Sequence, residues 1–160
     1  MNPSLAPVAQ SFELNSDLLN KAVAGIPPEQ WLVRPGNKSN HLLWVAGHLV
    51  NSRASAIKLL GGSWSVSWRE LFKRGAPLLE ANQYPQVADV IATWQQTSAE
   101  LATAFAQASE AALSREPLQG VPTFDGKLSG NVAFLSFHET YHIGQAAFIR
   151  KWLGYDQIVG

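Results

Sequence analysis

The sequence contains no cysteine. This absence excludes disulfide bonds, thiolate nucleophiles, iron–sulfur clusters and every cysteine-ligated zinc site. Charged side chains are also scarce, at 15% of the chain, against about 25% in a typical soluble domain. Twelve Lys and Arg residues balance twelve Asp and Glu residues. Because the formal net charge is zero, electrostatics give no reason to expect nucleic acid or an anionic membrane as a partner.

Long hydrophobic runs are missing as well. No stretch reaches the roughly eighteen consecutive apolar residues of a membrane-spanning helix, so we predict none. The first ten residues, MNPSLAPVAQ, lack the basic segment and the apolar block of a secretory signal peptide. We therefore expect a soluble, cytoplasmic protein.

The chain does have the length of one ordinary domain and enough apolar residues for a core, with 160 residues of which 46% are apolar. Neither an internal repeat nor a low-complexity linker divides it, so residues 1–160 are predicted to form a single domain. Six tryptophans are many for this length. Together with the low charge, they indicate that apolar surface lines a pocket or faces a partner subunit.

Apolar residues recur at helical spacing in four long segments. Ser39 and Asn40 are favoured N-cap residues for the second segment, and Pro85 is a favoured first-turn residue for the third. No segment shows the convincing alternation of apolar and polar residues that is typical of a strand, except for a few residues near 121–128. The predicted helices cover residues 5–23, 39–60, 85–114 and 131–153.

The predicted fold is therefore an all-α four-helix bundle. Its second and third helices are joined by about two dozen residues, whereas links in bundles usually have about 2–8. A connection of this length can run the length of the bundle, which favours an up-down-down-up path. The crossover contains a short helix predicted from a capping-box pattern that begins at Ser67 and ends at Glu70.

The residues best suited to metal binding or catalysis lie in the segment HETYH, residues 138–142. Residues four apart lie one turn apart on the same helix face, so His138 and His142 can bind one metal ion. The segment also matches the H-E-x-x-H pattern of metallopeptidases. That interpretation is weak here, because Gln145 and Phe148 stand where the extended motif has its glycine and its third histidine.

A third histidine ligand has to come from upstream, where His41 and His48 are the two candidates. At about 1.5 Å per residue, His138 and His142 lie well inside the fourth helix, and His48 lies at a matching depth in the second. His41 lies at the start of that helix, away from this level. The predicted metal ligands are therefore His48, His138 and His142, a set that leaves open positions for water or substrate.

The alternative is that these histidines are buried core residues without a metal.

Tyr141 and Gln145 flank His142 and are candidates for supporting roles at a site, while the catalytic group itself is left unassigned. Trp44 is either a pocket wall or a packing residue. Trp64 and Trp68 either cover the pocket or seal the end of the bundle. We expect Glu139 to face solvent or another subunit, with a hydrogen bond to a ligand imidazole as the functional alternative.

Two motifs resemble the DinB-like superfamily of metalloenzymes, namely NHLLWVAGHL at residues 40–49 and HETYHIGQ at residues 138–145. The resemblance extends over nearly the whole chain. It implies an up-down-down-up four-helix bundle that often forms homodimers. It also implies a nickel, zinc or iron ion held by His48, His138 and His142, the set already selected by depth.

Characterised members of that family include transferases that use a low-molecular-weight thiol as cosubstrate. The resemblance thus implies a divalent-metal-dependent transferase or hydrolase that acts on a small molecule. A bound divalent ion suits this chemistry because it lowers the pKa of a thiol or a water. The alternative function is a non-catalytic bundle that dimerises or binds a ligand, with a structural or vestigial metal site. Low charge and the alanine-rich third helix add to the expectation of a homodimer.

Overall fold

The computed structural model describes residues 5–159, and over that range it is helical with no strand. The predicted all-α class is therefore confirmed, and no strand forms near 121–128, because residues 121–127 are a loop and residue 128 is helical. Residues 1–4 and 160 of the predicted domain lie outside the described range. The helices are α1 (Ala6–Val23), α2 (Leu42–Leu59), α3 (Val87–Gln107), the four-residue α4 (Glu110–Leu113) and α5 (Leu128–Trp152).

The start of α2 differs from the prediction, because the N-cap is His41 rather than Ser39 or Asn40. The Nδ1 atom of His41 accepts a hydrogen bond of 2.9 Å from the backbone N–H of Trp44. An imidazole nitrogen thus satisfies one of the backbone donors that a helix N-terminus leaves without a partner.

The predicted third helix is in fact two helices. The backbone is extended at Ala108 and Ser109, and the Ser109 side chain caps α4 by accepting from the N–H of Ala112. The fourth long helix begins three residues earlier than predicted, at Leu128. Asp125 supports this earlier start, since its carboxylate accepts hydrogen bonds from the N–H of Lys127 and the hydroxyl of Ser129.

The crossover between α2 and α3 contains single 3₁₀ turns at Arg69–Phe72 and Ala81–Gln83. The capping box predicted from Ser67 is wrong, because the first turn has Trp68 at its N-cap with no side-chain capping bond. A reciprocal capping box is instead present at the second turn, between Glu80 and Gln83.

In the bundle, α2 packs against α3 and α5, and α1 packs against α5. Asn15 bonds to Thr140, and further along both helices Arg150 bonds to the carbonyl of Ala24, so α1 and α5 run in the same direction. Along α2 and α5 the contact order is reversed, from Trp44 beside His142 to Arg53 beside Glu139. Both orders fit the up-down-down-up path, which stays a prediction for the whole bundle.

Two apolar clusters fill the interior. One surrounds Trp31 and Trp94, and the other surrounds Phe12 and Phe105. No helix in the part of the chain that the structure describes is both long enough and apolar enough to cross a membrane.

Candidate metal centre

Three histidines from α2 and α5 come together in the middle of the bundle. The Nε2 atom of His138 lies 3.4 Å from Nε2 of His48 and 3.1 Å from Nε2 of His142. One ring nitrogen from each of the three lies within 4.8 Å of the other two. The structure therefore brings together the three histidines selected by spacing and depth.

The outer ring nitrogens of these histidines have partners that set the orientation of the rings. Nδ1 of His48 lies 2.8 Å from the carbonyl oxygen of Phe72, and Nδ1 of His142 lies 3.0 Å from Oε1 of Gln145. Both oxygens only accept, so each Nδ1 carries the proton and each Nε2 presents a lone pair. His138 Nδ1 faces the Ser52 hydroxyl at 3.4 Å, which allows its ring to adopt the same tautomer.

The donor set fits a divalent transition metal. Nitrogen ligands about 2.0–2.1 Å from a tetrahedral ion lie about 3.3–3.4 Å from one another, close to the separations of 3.4 Å and 3.1 Å in this cluster. A cation between them also removes the repulsion between lone pairs that converge on one point. The orienting hydrogen bonds on Nδ1 are those that metal-bound histidines commonly make.

The rings are neutral at ordinary pH, as metal ligands must be. Burial lowers the pKa of His48, although the carbonyl of Phe72 opposes this effect. Burial, with the nearby His48 as a second cause, lowers the pKa of His138 to about 4. Burial and the other two histidines lower the pKa of His142 to about 4. Protons therefore compete poorly for these nitrogens near neutrality.

An open cavity of about 540 Å³ lies beside the cluster and is lined by all three histidines. Trp44 forms one wall and stacks on His48, with ring centroids 4.6 Å apart and planes 9° apart. Tyr141 and Gln145 also line it, and Tyr141 is largely exposed to solvent. Trp44 is thus both a buried packing residue and a pocket wall. Trp64 and Trp68 pack against the two apolar clusters instead.

His41 is not part of the cluster. It is buried at the N-cap of α2, with its ring edge-on to Tyr84 at 5.1 Å. Burial, with Arg34 as a second cause, lowers its pKa to about 4. The ring is therefore a neutral capping group.

Glu139 is fully buried, so the expectation that it faces solvent or another subunit is wrong. Its carboxylate receives two hydrogen bonds from Arg53, at 2.7 and 2.8 Å. Burial raises the pKa of Glu139, whereas the guanidinium opposes that effect by favouring the charged form. Its partner is thus this arginine rather than a ligand imidazole.

Arg53 is the residue that sequence reasoning missed. From α2 it bonds to Glu139 on α5, to the carbonyl of Phe12 on α1 and to the hydroxyl of Ser98 on α3. Its guanidinium also lies 3.7 Å from the ring centroid of Trp94. The available signal was a cation in the middle of a helix, with apolar residues three and four positions away on either side along the same helix face. Because Glu139 follows His138 directly, this junction of four helices also fixes the position of the cluster.

Gly47 permits a close approach beside His48. A Cβ atom at this position would lie 2.5 Å from Cγ of Phe72, closer than real side chains come. The absence of a side chain therefore allows the Phe72 ring to lie directly on α2. The same residue presents its carbonyl oxygen to His48.

These features define a class, a helical bundle with a three-histidine cluster that opens into a cavity. A family model described as the DinB superfamily matches residues 11–146, and the chain belongs to this superfamily. The resemblance seen in the two motifs is thereby confirmed. No curated protein matches the chain.

Proposed function

We propose that this protein is a divalent-metal-dependent enzyme that acts on a small molecule, as a thiol-dependent transferase or a hydrolase. The observation that carries the proposal is the convergence of three Nε2 atoms, each available to bind an ion, at the edge of a cavity. Membership of the DinB superfamily supports the same interpretation. Nickel, zinc and iron are the metals proposed.

The chain's own residues have distinct parts in this proposal. His48, His138 and His142 would hold the ion, while the Phe72 carbonyl and Gln145 keep the rings oriented. Trp44 shields one side of the cluster from water, and a substrate enters past Tyr141. A divalent ion would supply Lewis acidity, which lowers the pKa of a bound thiol or water towards about 7.

The metal content of the purified protein tests this proposal. After growth in medium supplemented with nickel, zinc and iron, and purification without chelator, we expect close to one divalent ion per chain by elemental analysis. A low-molecular-weight thiol with a panel of electrophiles then tests the transferase part. A protein that carries almost no transition metal, and binds none on titration, would contradict the proposal.

A second candidate function, a dimerising bundle, is favoured by an aromatic stripe on α5. Positions 134, 137, 141, 148 and 152 fall within about 60° of one another around the helix, and all five residues are aromatic. Phe124 adds to the stripe by contacting Phe134 and Phe137. The largely exposed members are Phe124, Phe137, Tyr141, Phe148 and Trp152.

The exposed area of the stripe suits a homodimer. An aromatic side chain has about 150–250 Å² of surface, and the five exposed members have between 47% and 64% of theirs in contact with solvent. This amounts to about 600 Å² on one copy and about 1,200 Å² for two, the lower end for specific interfaces. The stripe includes Tyr141, so a partner copy would also border the cavity.

We therefore expect sedimentation at micromolar concentration to show a dimer that Phe137→Asp converts to a monomer. A charge in the centre of an apolar interface is left without a partner, which costs several kcal/mol. Leu14→Asp is the matched control, because Leu14 on α1 is 58% exposed and Phe137 is 60% exposed. A wild-type protein that sediments as a monomer, or equal effects of the two substitutions, would overturn the dimer.

A further inference from the structure

The cavities around the histidine cluster are lined by cations and by no carboxylate. The 540 Å³ cavity adjoins one of about 210 Å³ on the Ser52 side and one of about 190 Å³ that shares Asn40 and Gln145 with it. Among the described residues, no Asp or Glu lines any of the three. The chain as a whole has equal numbers of acids and bases. The lining cations are Lys38, Arg69, Lys73 and Arg74.

Arg74 stands out among these cations. It lines both the 540 Å³ cavity and the 210 Å³ cavity, on either side of His48 and His138. Its neighbour Lys73 is paired with Glu70 at 2.5 Å. Within residues 5–159 the guanidinium of Arg74 has no hydrogen-bond, ion-pair or ring partner. It is therefore available to bind a ligand in the larger cavity.

The other polar groups in the cavity also suit an anion. Oε1 of Gln145 is occupied by the His142 ring, so the amide nitrogen, a donor, is the part left for a ligand. The Tyr141 hydroxyl is a further donor. Three neutral imidazoles would leave the charge of a bound divalent ion uncompensated, and the nearest acid, Glu139, is already paired with Arg53.

We propose that the 540 Å³ cavity binds a small organic anion whose carboxylate pairs with Arg74. Arginine presents two parallel N–H groups that match the two oxygens of a carboxylate. The cavity has the volume of a small-molecule site, for which about 300–1,000 Å³ is usual. This anion is the class of substrate for the proposed metal-dependent function. The assignment as a substrate therefore rests on that function, whereas the binding of the anion does not.

Calorimetric titration of the zinc-supplemented protein with acetate, succinate and citrate tests the proposal, with neutral succinamide as the uncharged probe. We expect at least one carboxylate to bind saturably and succinamide to bind at least about tenfold more weakly, because hydrogen bonds between charged groups are the strong ones. Arg74→Gln should weaken carboxylate binding about tenfold or more, and Arg74→Lys should recover part of it. Neither substitution should change the zinc content.

Arg69→Gln is the matched control, since it removes the same charge from the same crossover and Arg69 does not line the 540 Å³ cavity. Its carboxylate affinity should stay within about twofold of wild type. Equal losses in the two variants, equal binding of succinate and succinamide, or no saturable binding of any carboxylate would each overturn the proposal. Elemental analysis of the same samples separates the two failures. Zinc without carboxylate binding refutes only the anion site, whereas Arg74-dependent carboxylate binding without zinc refutes only the metal-dependent function.

Discussion

Replacing any one of His48, His138 and His142 by alanine is expected to weaken zinc or nickel binding by about a hundredfold or more. Loss of a residue that merely orients a ligand typically costs about 10–100-fold in affinity, and loss of a ligand costs at least as much. Two imidazoles also leave the ion with half of a tetrahedral set. Competition against a chelator of known affinity measures the change in each variant.

His41→Asn is the control for this series. Asparagine is a favoured N-cap residue, so it preserves the start of α2 while it removes an imidazole that lies outside the cluster. Its metal affinity should equal that of wild type. If His41→Asn abolishes binding while His48→Ala does not, the proposed ligand set is wrong. Gln145→Ala, which removes only the partner of His142, should have a smaller effect, of about 10–100-fold.

Breaking the buried ion pair is expected to give the largest loss of stability. Arg53→Met or Glu139→Gln should lower the free energy of unfolding of the metal-free protein by about 3–5 kcal/mol, because each leaves the other partner buried without its counter-charge. Urea denaturation followed by circular dichroism measures this change. Metal-free protein is used so that altered metal binding does not contribute.

The double variant Arg53→Met/Glu139→Leu should recover most of that loss, since no unpaired charge remains. Glu70→Gln provides the surface comparison. It breaks the Lys73–Glu70 pair, whose side chains are 53% and 72% exposed, and should cost less than about 1 kcal/mol. Single substitutions at Arg53 and Glu139 that cost no more than Glu70→Gln would contradict the assigned role of this pair.

The histidine cluster could be predicted because the positions of its members follow from residue spacing within single helices. His138 and His142 are one helical turn apart, and the depth of His48 follows from counting residues along a second helix. The four long helices were likewise readable from apolar spacing. The ends of the helices could not be predicted as well. The break at Ala108 and the cap by His41 depend on side-chain hydrogen bonds that other residues in the same segments could equally have made.

The Arg53–Glu139 pair could not be predicted in this way. The two residues are 86 positions apart, and each alone has the character of an ordinary solvated charge. Their burial depends on how α2 and α5 face each other, together with the carbonyl of Phe12 and the ring of Trp94. Tertiary packing sets that arrangement. The same holds for Phe72, whose contact with Gly47 is a property of the crossover path and not of either local sequence.

The contact between Phe72 and Gly47 places the crossover directly beside the candidate metal centre. The Phe72 ring rests on α2 where a side chain is absent, and its carbonyl holds His48. Arg74 is only two residues further along the same backbone. Within three residues, the crossover thus provides both the carbonyl that orients one candidate metal ligand and a cation that lines the neighbouring cavity.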